Sequence, residues 1–274
     1  MSGAGEPGAQ MPSQTPDQTP DQAPTQAPQP TSSASSLTRI PRAPFPGLRP
    51  FLPYEEILLF GRERQVREVI AKLQETQFVA VIGGSGSGKS SLVLAGVVPE
   101  LRSFGIPGAG DFWVPMICTP GTNATLADEE KRLNTPITRL ARKFAALLRS
   151  RGSQAQDDAR LEEIAARLRE ELGFAHLVDL YTAELAAPPG PDPADARFLF
   201  VIDQFEELFH PTTRHGKDAN LLVERVIDHF FSPHPRCYIV LTMRSEHLIA
   251  LAFSSCPTRS TSRRTWCAVW TTTN

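Results

Sequence analysis

The residues with the clearest chemical potential lie in the stretch Val79–Ser91, which reads VAVIGGSGSGKSS. It fits the pattern G-x-x-x-x-G-K-[ST], with Gly83, Gly88, Lys89 and Ser90 at the fixed positions. Glycines let the backbone turn tightly, so that successive N–H groups point at one anion. The lysine brings a point charge to the β- and γ-phosphates, and the serine hydroxyl is a ligand for Mg²⁺. The spacing therefore predicts a phosphate-binding loop.

The elements around this loop suit the same chemistry. The apolar run Phe78–Ile82 predicts a buried parallel strand, and the segment Ser90–Leu101 predicts a helix. The helix would add its positive N-terminal end to the phosphate site. The loop residues expected to bind the nucleotide are Gly83, Gly84, Ser85, Gly86, Ser87, Gly88, Lys89, Ser90 and Ser91.

A second candidate site follows the apolar run that begins at Arg197 and ends in Asp203. This pattern predicts a buried strand with an acid at its C-terminal tip, where open α/β sheets bind ligands. Asp203 would hold Mg²⁺, through water, together with Ser90. Glu206 or Glu207 would orient or deprotonate the water that attacks the γ-phosphate. A strand end followed by two surface acids is the alternative interpretation.

Three arginines occupy positions with two interpretations each. Arg244 follows the predicted strand Tyr238–Met243, where a cation either senses a γ-phosphate or is simply exposed. Arg62 and Arg64 begin a segment with helical periodicity, either as a solvated first turn or as a hinge near the nucleotide.

Composition restricts the class of protein. The chain has 274 residues, 41% of them hydrophobic, and a formal net charge of -2, which allows one good-sized domain or two small ones. The near-neutral charge gives no reason to expect nucleic acid or an anionic membrane as the main partner. No apolar run approaches the roughly 20 residues of a membrane span, and the N-terminus lacks a signal-peptide pattern. We therefore expect a cytoplasmic protein.

The pattern predicts three regions and an α/β fold. Residues 1–43 form a Pro/Gln/Thr-rich, low-complexity tail that should be disordered, residues 44–253 the globular domain, and residues 254–274 an irregular tail. We expect a mostly parallel sheet of about five strands with helices on both faces. Phe112–Cys118 predicts a strand that either lies at an edge or is distorted, because Pro115 cannot donate a ladder hydrogen bond. Helices are predicted around Ile137–Leu148, Leu161–Leu172, Phe174–Ala187 and Asn220–Phe231.

The cysteines and histidines form no metal-binding pattern. The chain has 4 cysteines and no C-x-x-C pair, and Cys118 and Cys237 are expected in the core. The remaining candidates, His210, His215, His229 and His234, are predicted to be loop and helix-surface residues.

Five stretches in order resemble the signal-transduction ATPases with numerous domains (STAND), and most of all the bacterial novel STAND NTPases, which are often fused to WD-type repeats. They are Phe45–Phe51, Leu59–Glu63, Val81–Leu101, Ile202–Phe209 and Leu241–Leu248. The resemblance implies an ATP-driven switch that oligomerises with ATP, relaxes with ADP, and acts through an effector or sensor partner. It implies that Lys89 and Ser90 are the Walker A pair, that Asp203, Glu206 and Glu207 form the Walker B cluster, that Arg244 is the sensor arginine and that Arg62 lies near the nucleotide. The absence of an N-K-x-D guanine motif favours adenine.

The resemblance ends near Ser254, where the family is expected to continue. The tail to Asn274 has no helical or strand period. We hypothesise a frameshift that truncates the chain after the sensor arginine, because one shifted frame can encode a run similar to the family's usual continuation. A native, disordered tail is the competing interpretation.

The leading functional hypothesis is therefore ATP and Mg²⁺ binding with slow hydrolysis, in which Glu207, Glu206, Lys89 and Arg244 act in catalysis. The alternative is a truncated nucleotide-binding or oligomerisation fragment without turnover. A metabolic kinase is less favoured, since no acceptor-substrate site is visible.

Overall fold

A parallel β-sheet lies at the centre of the protein in this computed structural model. The structure describes residues 46–121, 134–151, 158–184, 191–209, 216–247 and 270–272, all within the unit Ile40–Asn274. The strand order is β2-β3-β4-β1-β5, and every pairing is parallel. This confirms the predicted α/β class. The strands are β1 Phe78–Gly83, β2 Trp113–Cys118, β3 Arg197–Ile202, β4 Cys237–Arg244 and β5 Trp270–Thr272.

Helices cover both faces of the sheet, as predicted. The helix after the phosphate loop, α2, spans residues 89–104: it is α-helical over Lys89–Ser91, π-helical over Leu92–Val97 and α-helical again over Val98–Phe104. The other helices are α1 Glu63–Thr76, α3 Pro136–Ser150, α4 Asp158–Arg169, α5 Gly173–Glu184 and α6 Lys217–Phe231. The predicted end of α5 at Ala187 and the boundaries of the two tails lie outside the described residues.

The alternation of each strand decides which helices its side chains meet. In β1, Val79 and Val81 pack in the cluster that contains α1 and α2, whereas Phe78, Ala80 and Ile82 pack in the cluster that contains α3 to α6. Both sides of each central strand are therefore apolar, which is why the strands read as continuous hydrophobic runs.

The edge position of β2 confirms the prediction made from Pro115. Among the described strands β2 lies at the end of the sheet and pairs with β3 alone, with Pro115 opposite Leu199. A proline is tolerated there because one side of an edge strand has no ladder to complete.

The short strand β5 differs from the predicted irregular tail. Trp270–Thr272 pairs in parallel with Ala80–Ile82 of β1. Three residues are too few to show an alternating pattern, so only the pairing with β1 identifies them as a strand. The rest of the tail, on which the frameshift hypothesis depends, lies outside the described residues.

The two described cysteines are buried, as predicted, but His229 is not a surface residue. Its exposed fraction is 3%, and its ring packs against Phe174. It shares the buried face of α6 with Leu222 and Val226, at the i, i+4, i+7 spacing that could have revealed it. Burial lowers the pKa of His229 to about 4. The histidine is therefore neutral near pH 7 and part of the core.

Gly96 allows α2 to approach α1 closely. A Cβ atom at this position would lie 2.5 Å from Val66 Cγ2 and 3.0 Å from Leu59 Cδ2. Although Gly→Ala normally favours a helix by about 1 kcal/mol, we expect Gly96→Ala to lower the free energy of unfolding by about 1–2 kcal/mol, because overpacking outweighs propensity. Urea unfolding measures this, and Val66→Ala in the same chain should reduce the cost of Gly96→Ala. A more stable single variant would contradict the prediction.

Candidate functional site

The predicted phosphate loop connects β1 to α2 at the carboxyl edge of the sheet. Gly83 is the last residue of β1, Gly84, Ser85, Gly86, Ser87 and Gly88 form the loop, and Lys89, Ser90 and Ser91 begin the helix. Gly86 and Gly88 have φ values of 74° and 83°, a left-handed conformation that side chains disfavour. The N–H groups in the first turn of a helix have no intrahelical acceptor, so α2 begins with donors available to an anion.

Lys89 is held inside this loop. Its Nζ donates to the carbonyl oxygens of Gly83, at 3.0 Å, and Gly84, at 2.8 Å. Burial lowers the pKa of Lys89, an effect opposed by the negative charge of Glu206. The Lys89 residue as a whole is 8% exposed, so its charge lies in a largely desolvated position where it is poorly screened.

The acid at the end of β3 meets the helix start across the sheet. Val201 faces the side of the sheet that carries α1 and α2, and Asp203, two residues later, points to the same side. There the Ser90 hydroxyl donates to Asp203 Oδ1 at 2.6 Å. The backbone N–H of Asp203 donates to Cys118 at 2.8 Å, which fixes the strand end beside β2.

These two oxygen-bearing side chains fit a magnesium site. Ser90 Oγ and Asp203 Oδ1 lie 2.6 Å apart, and hard oxygen ligands are those that Mg²⁺ prefers. Among the described residues there is no cluster of three or more His, Cys, Asp or Glu side chains that could hold a metal. Such a cluster is not required, because proteins usually supply only one or two oxygen ligands to Mg²⁺ and phosphate and water supply the rest.

Glu206 and Glu207 follow Asp203 within one short turn. Gln204 has a φ of 59°, and the 3₁₀ helix Phe205–Phe209 then carries both acids. Glu206 Oε1 lies 3.3 Å from Nε of Arg244, the last residue of β4. Glu206 Oε2 is buried and has no hydrogen-bond partner among the described residues. Glu206 Oε2 is therefore able to accept a further hydrogen bond at the edge of the sheet.

Glu207 is half-buried beside the chain that leaves β2. Burial raises the pKa of the Glu207 carboxyl, and the charge of Glu206 raises it further, while a backbone hydrogen bond from Gly121 and the charge of Arg139 oppose the shift. A Cβ atom at Gly121 would overlap the Glu207 carboxylate, so this close approach requires glycine. A carboxylate with a raised pKa is a stronger base than an ordinary surface glutamate.

Arg62 and Arg64 lie in different environments. Arg62 Nη2 donates to the Ser87 carbonyl of the phosphate loop at 3.3 Å. Arg64 is 84% exposed and pairs with Glu68 one helical turn away, at 2.8 Å. Arg62 thus joins the candidate site, and Arg64 does not.

A strap formed by residues 49–55, whose contact with the loop was not predicted, packs beside the loop. The Phe51 N–H donates to the Ser91 hydroxyl at 3.1 Å, so that hydroxyl is engaged by the strap. Glu55 accepts from both terminal nitrogens of Arg49, at 2.7 and 2.6 Å, and from the Leu52 N–H at 2.9 Å. The Arg49 hydrogen bonds, aided by that of Leu52, lower the pKa of Glu55 to about 2. The glutamate three residues after Leu52 was the available sequence signal.

Thr242 also lies at the site, although the sequence did not indicate a role for it. It lies in β4, two residues before Arg244, and its hydroxyl donates to Asp203 Oδ1 at 2.6 Å. The available signal was a single polar residue in an otherwise apolar strand run.

A parallel sheet flanked by helices, with a phosphate loop after β1 and an acid at the tip of β3, defines a P-loop NTPase core. A family model described as Novel STAND NTPase 1 matches residues 44–264, and the chain therefore belongs to this family. Among solved structures the chain is similar to a Walker-type ATPase of Pyrococcus abyssi, with 16% identity and a TM-score of 0.41. That match covers 72% of this chain and 48% of the other, so this chain spans about half its length. No curated protein matches the sequence.

Proposed function

We propose that this NTPase domain is the ATP- and Mg²⁺-dependent switch core of a STAND-type signalling protein, and that it hydrolyses ATP slowly. The observation that carries the proposal is one hydrogen bond. Ser90 and Asp203 are 113 positions apart in the chain, yet they meet at 2.6 Å beside the phosphate loop. Such a pairing of a loop hydroxyl with a strand-end acid is what binding of a metal-nucleotide complex requires.

The roles of the site residues follow from their positions. The loop N–H groups and Lys89 would bind the phosphates, and Ser90 and Asp203 would hold Mg²⁺, which when bound neutralises charge on the phosphate oxygens. Glu207 would accept a proton from water as the water oxygen attacks the γ-phosphorus and ADP departs. Glu207 is favoured over Glu206 for this step because burial raises the pKa of the Glu207 carboxyl, which makes it the stronger base.

The ion pair between Arg244 and Glu206 supports the switch part of the proposal. Arg244 is 51% exposed at its side chain, whereas the Glu206 side chain is 10% exposed, so the arginine can leave more readily than the acid. A γ-phosphate would compete with Glu206 for the guanidinium and draw Arg244 toward the nucleotide. ADP lacks that group, so the two nucleotides would favour different positions of the β4 tip.

We expect Arg244→Gln to reduce the preference of the protein for ATP over ADP by about 10-fold, because one hydrogen bond to a charged group is lost from the ATP complex alone. Titration of both nucleotides with excess Mg²⁺ measures the ratio of their dissociation constants. Arg149→Gln, an exposed arginine on α3, is the matched control and should leave the ratio unchanged. An unaltered ratio in Arg244→Gln would remove Arg244 from the switch.

The proposal as a whole is tested on the unmodified chain. It predicts that ATP binds more tightly with Mg²⁺ than with EDTA, and that ADP and phosphate accumulate slowly. Binding without turnover would instead favour the alternative of a nucleotide-binding or oligomerisation fragment. Absence of ATP binding would refute the switch core and the nucleotide-binding fragment, and would leave only the oligomerisation fragment.

Oligomerisation with ATP, a separate effector or sensor, and a cytoplasmic location belong to the same proposal. They can be tested by light scattering with ATP and ADP and by fractionation of cells. None of the helices in the described ranges is long and apolar enough to cross a membrane.

A further inference from the structure

Thr242 lies where three parts of the candidate site meet. It is 1% exposed, and the pairing of Ile202 with Leu241 places Asp203 beside it when the register is extended by one residue. Neighbours in register on parallel strands point to the same face of the sheet. Thr242 and Asp203 therefore share the face that carries α2 and Ser90.

The hydrogen bonds of Thr242 have a defined direction. Its Oγ1 accepts from the Gln204 N–H at 2.9 Å, and its own hydroxyl hydrogen is directed to Asp203 Oδ1 at 2.6 Å. Because a threonine hydroxyl has a single hydrogen, this arrangement commits it to Asp203. A chain of donors thus runs from the backbone of Gln204 through Thr242 to the carboxylate, and each bond polarises the next.

This chain gains importance when Ser90 binds a metal. In the structure Asp203 Oδ1 accepts from two hydroxyls, those of Ser90 and Thr242, each at 2.6 Å. If Ser90 turns its oxygen to Mg²⁺, its hydrogen bond to Asp203 is lost. Among the described residues, Thr242 is then the hydroxyl that still donates to the carboxylate and orients it. The same side chain holds the N–H of Gln204, whose φ of 59° begins the turn that carries Glu206 and Glu207.

We propose that Thr242 is a positioning residue for magnesium-nucleotide binding: its hydroxyl orients Asp203 toward the metal and fixes the turn that carries the two glutamates. The inference rests on the proposed function, since it assigns a role within the same site. Groups that orient metal ligands in this way usually alter metal affinity or activity by about 10- to 100-fold when they are removed.

The test compares Thr242→Val, which removes the hydroxyl at nearly constant shape, with Thr242→Ser, which retains it. ATP affinity of the full chain is measured by calorimetry in EDTA and over a series of Mg²⁺ concentrations. In Thr242→Val, we expect the Mg²⁺ concentration that gives half of the Mg²⁺-dependent gain in ATP affinity to rise about 10-fold. The ATP affinity in EDTA should be unchanged. Thr242→Ser should behave like the unmodified chain.

A matched control is Thr76→Val. The Thr76 hydroxyl also has hydrogen-bond partners, since the carbonyl oxygens of Lys72 and Phe78 lie 2.8 Å and 2.7 Å from it and share its one hydrogen. Thr76 lies before β1, however, at the opposite edge of the sheet. Its loss should affect thermal unfolding without changing the Mg²⁺ requirement.

Three results would overturn the inference: an unchanged Mg²⁺ requirement in Thr242→Val, an equal loss of affinity with and without Mg²⁺, or a loss in Thr242→Ser similar to that in Thr242→Val. The serine variant is decisive if the valine variant does not fold, because a raised Mg²⁺ requirement despite the retained hydroxyl contradicts the proposal. If the unmodified chain binds ATP without any response to Mg²⁺, the proposed function fails as well. A normal response there, with no change in Thr242→Val, refutes only the role of Thr242.

Discussion

Lys89→Met should weaken ATP binding by about 10- to 100-fold, the effect expected when a charged hydrogen-bond donor to phosphate is lost from a buried position. Lys89 Nζ donates to Gly83 and Gly84 and is largely desolvated. The other loop residues are glycines and serines, so none of them can replace its charge. Methionine preserves the length and the apolar contacts of the lysine stem. Equilibrium titration with a fluorescent ATP analogue, in Mg²⁺, measures the change.

The matched control for this prediction is Lys143→Met. Lys143 is an exposed lysine on α3, so its loss changes the net charge of the protein equally without touching the loop. Equal weakening in both variants would show a general charge effect. Unchanged affinity in Lys89→Met would mean that the loop does not bind phosphate as proposed.

The largest effect on turnover is expected for Glu207→Gln. Removal of a general base typically slows a reaction by about 100- to 10,000-fold, whereas a glutamine of the same shape leaves the nucleotide contacts intact. We therefore expect ATP to bind with nearly unchanged affinity while phosphate release falls toward the background rate. A malachite-green or coupled assay under saturating ATP, combined with the binding titration, separates the two quantities.

The pH dependence gives an independent check on Glu207. Burial raises the pKa of the Glu207 carboxyl above the ordinary value of 4.5. The base acts only when it is ionised, so the hydrolysis rate should fall as the pH drops through this raised pKa, and the fall should begin above pH 4.5. Glu207→Gln should abolish this acidic limb of the profile.

Two comparisons decide whether Glu207 is the base. Glu100→Gln removes an exposed carboxylate on α2 and should leave turnover unchanged. Glu206→Gln should disturb the pairing with Arg244, and hence nucleotide preference, more than the proton-transfer step. If Glu206→Gln abolishes turnover and Glu207→Gln does not, the base is Glu206 and our assignment is wrong.

Local pattern alone was enough to predict the class of this protein. Phosphate loops need glycines at positions where the backbone turns, followed by a lysine and a hydroxyl residue, and all of these lie within Gly83–Ser90. The buried strands are continuous apolar runs because both faces are covered. Pro115 marked an edge strand because of a single missing donor. In each case the physical constraint acts within a few residues, so the sequence carries it directly.

Contacts between distant segments depended on the tertiary structure. The sequence predicted that Ser90 and Asp203 share a metal, but their separation depends on the order of the strands and on which face Asp203 points to. The hydroxyl of Thr242 meets Asp203 only because β3 and β4 are neighbours in one particular register. A shift of one residue would turn that hydroxyl to the opposite face of the sheet.

The same reasoning explains why other residues were misjudged or overlooked. His229 is polar, and its burial follows from the helices that close over α6 rather than from its own chemistry. β5 is three residues long and is a strand because β1 offers it a partner. The sequence by itself determined the loop, the strand-end acids and the α/β class, because local periodicity and motif spacing encode them. Strand order, register and helix packing decided which of those residues meet, because these depend on the free energy of the whole chain.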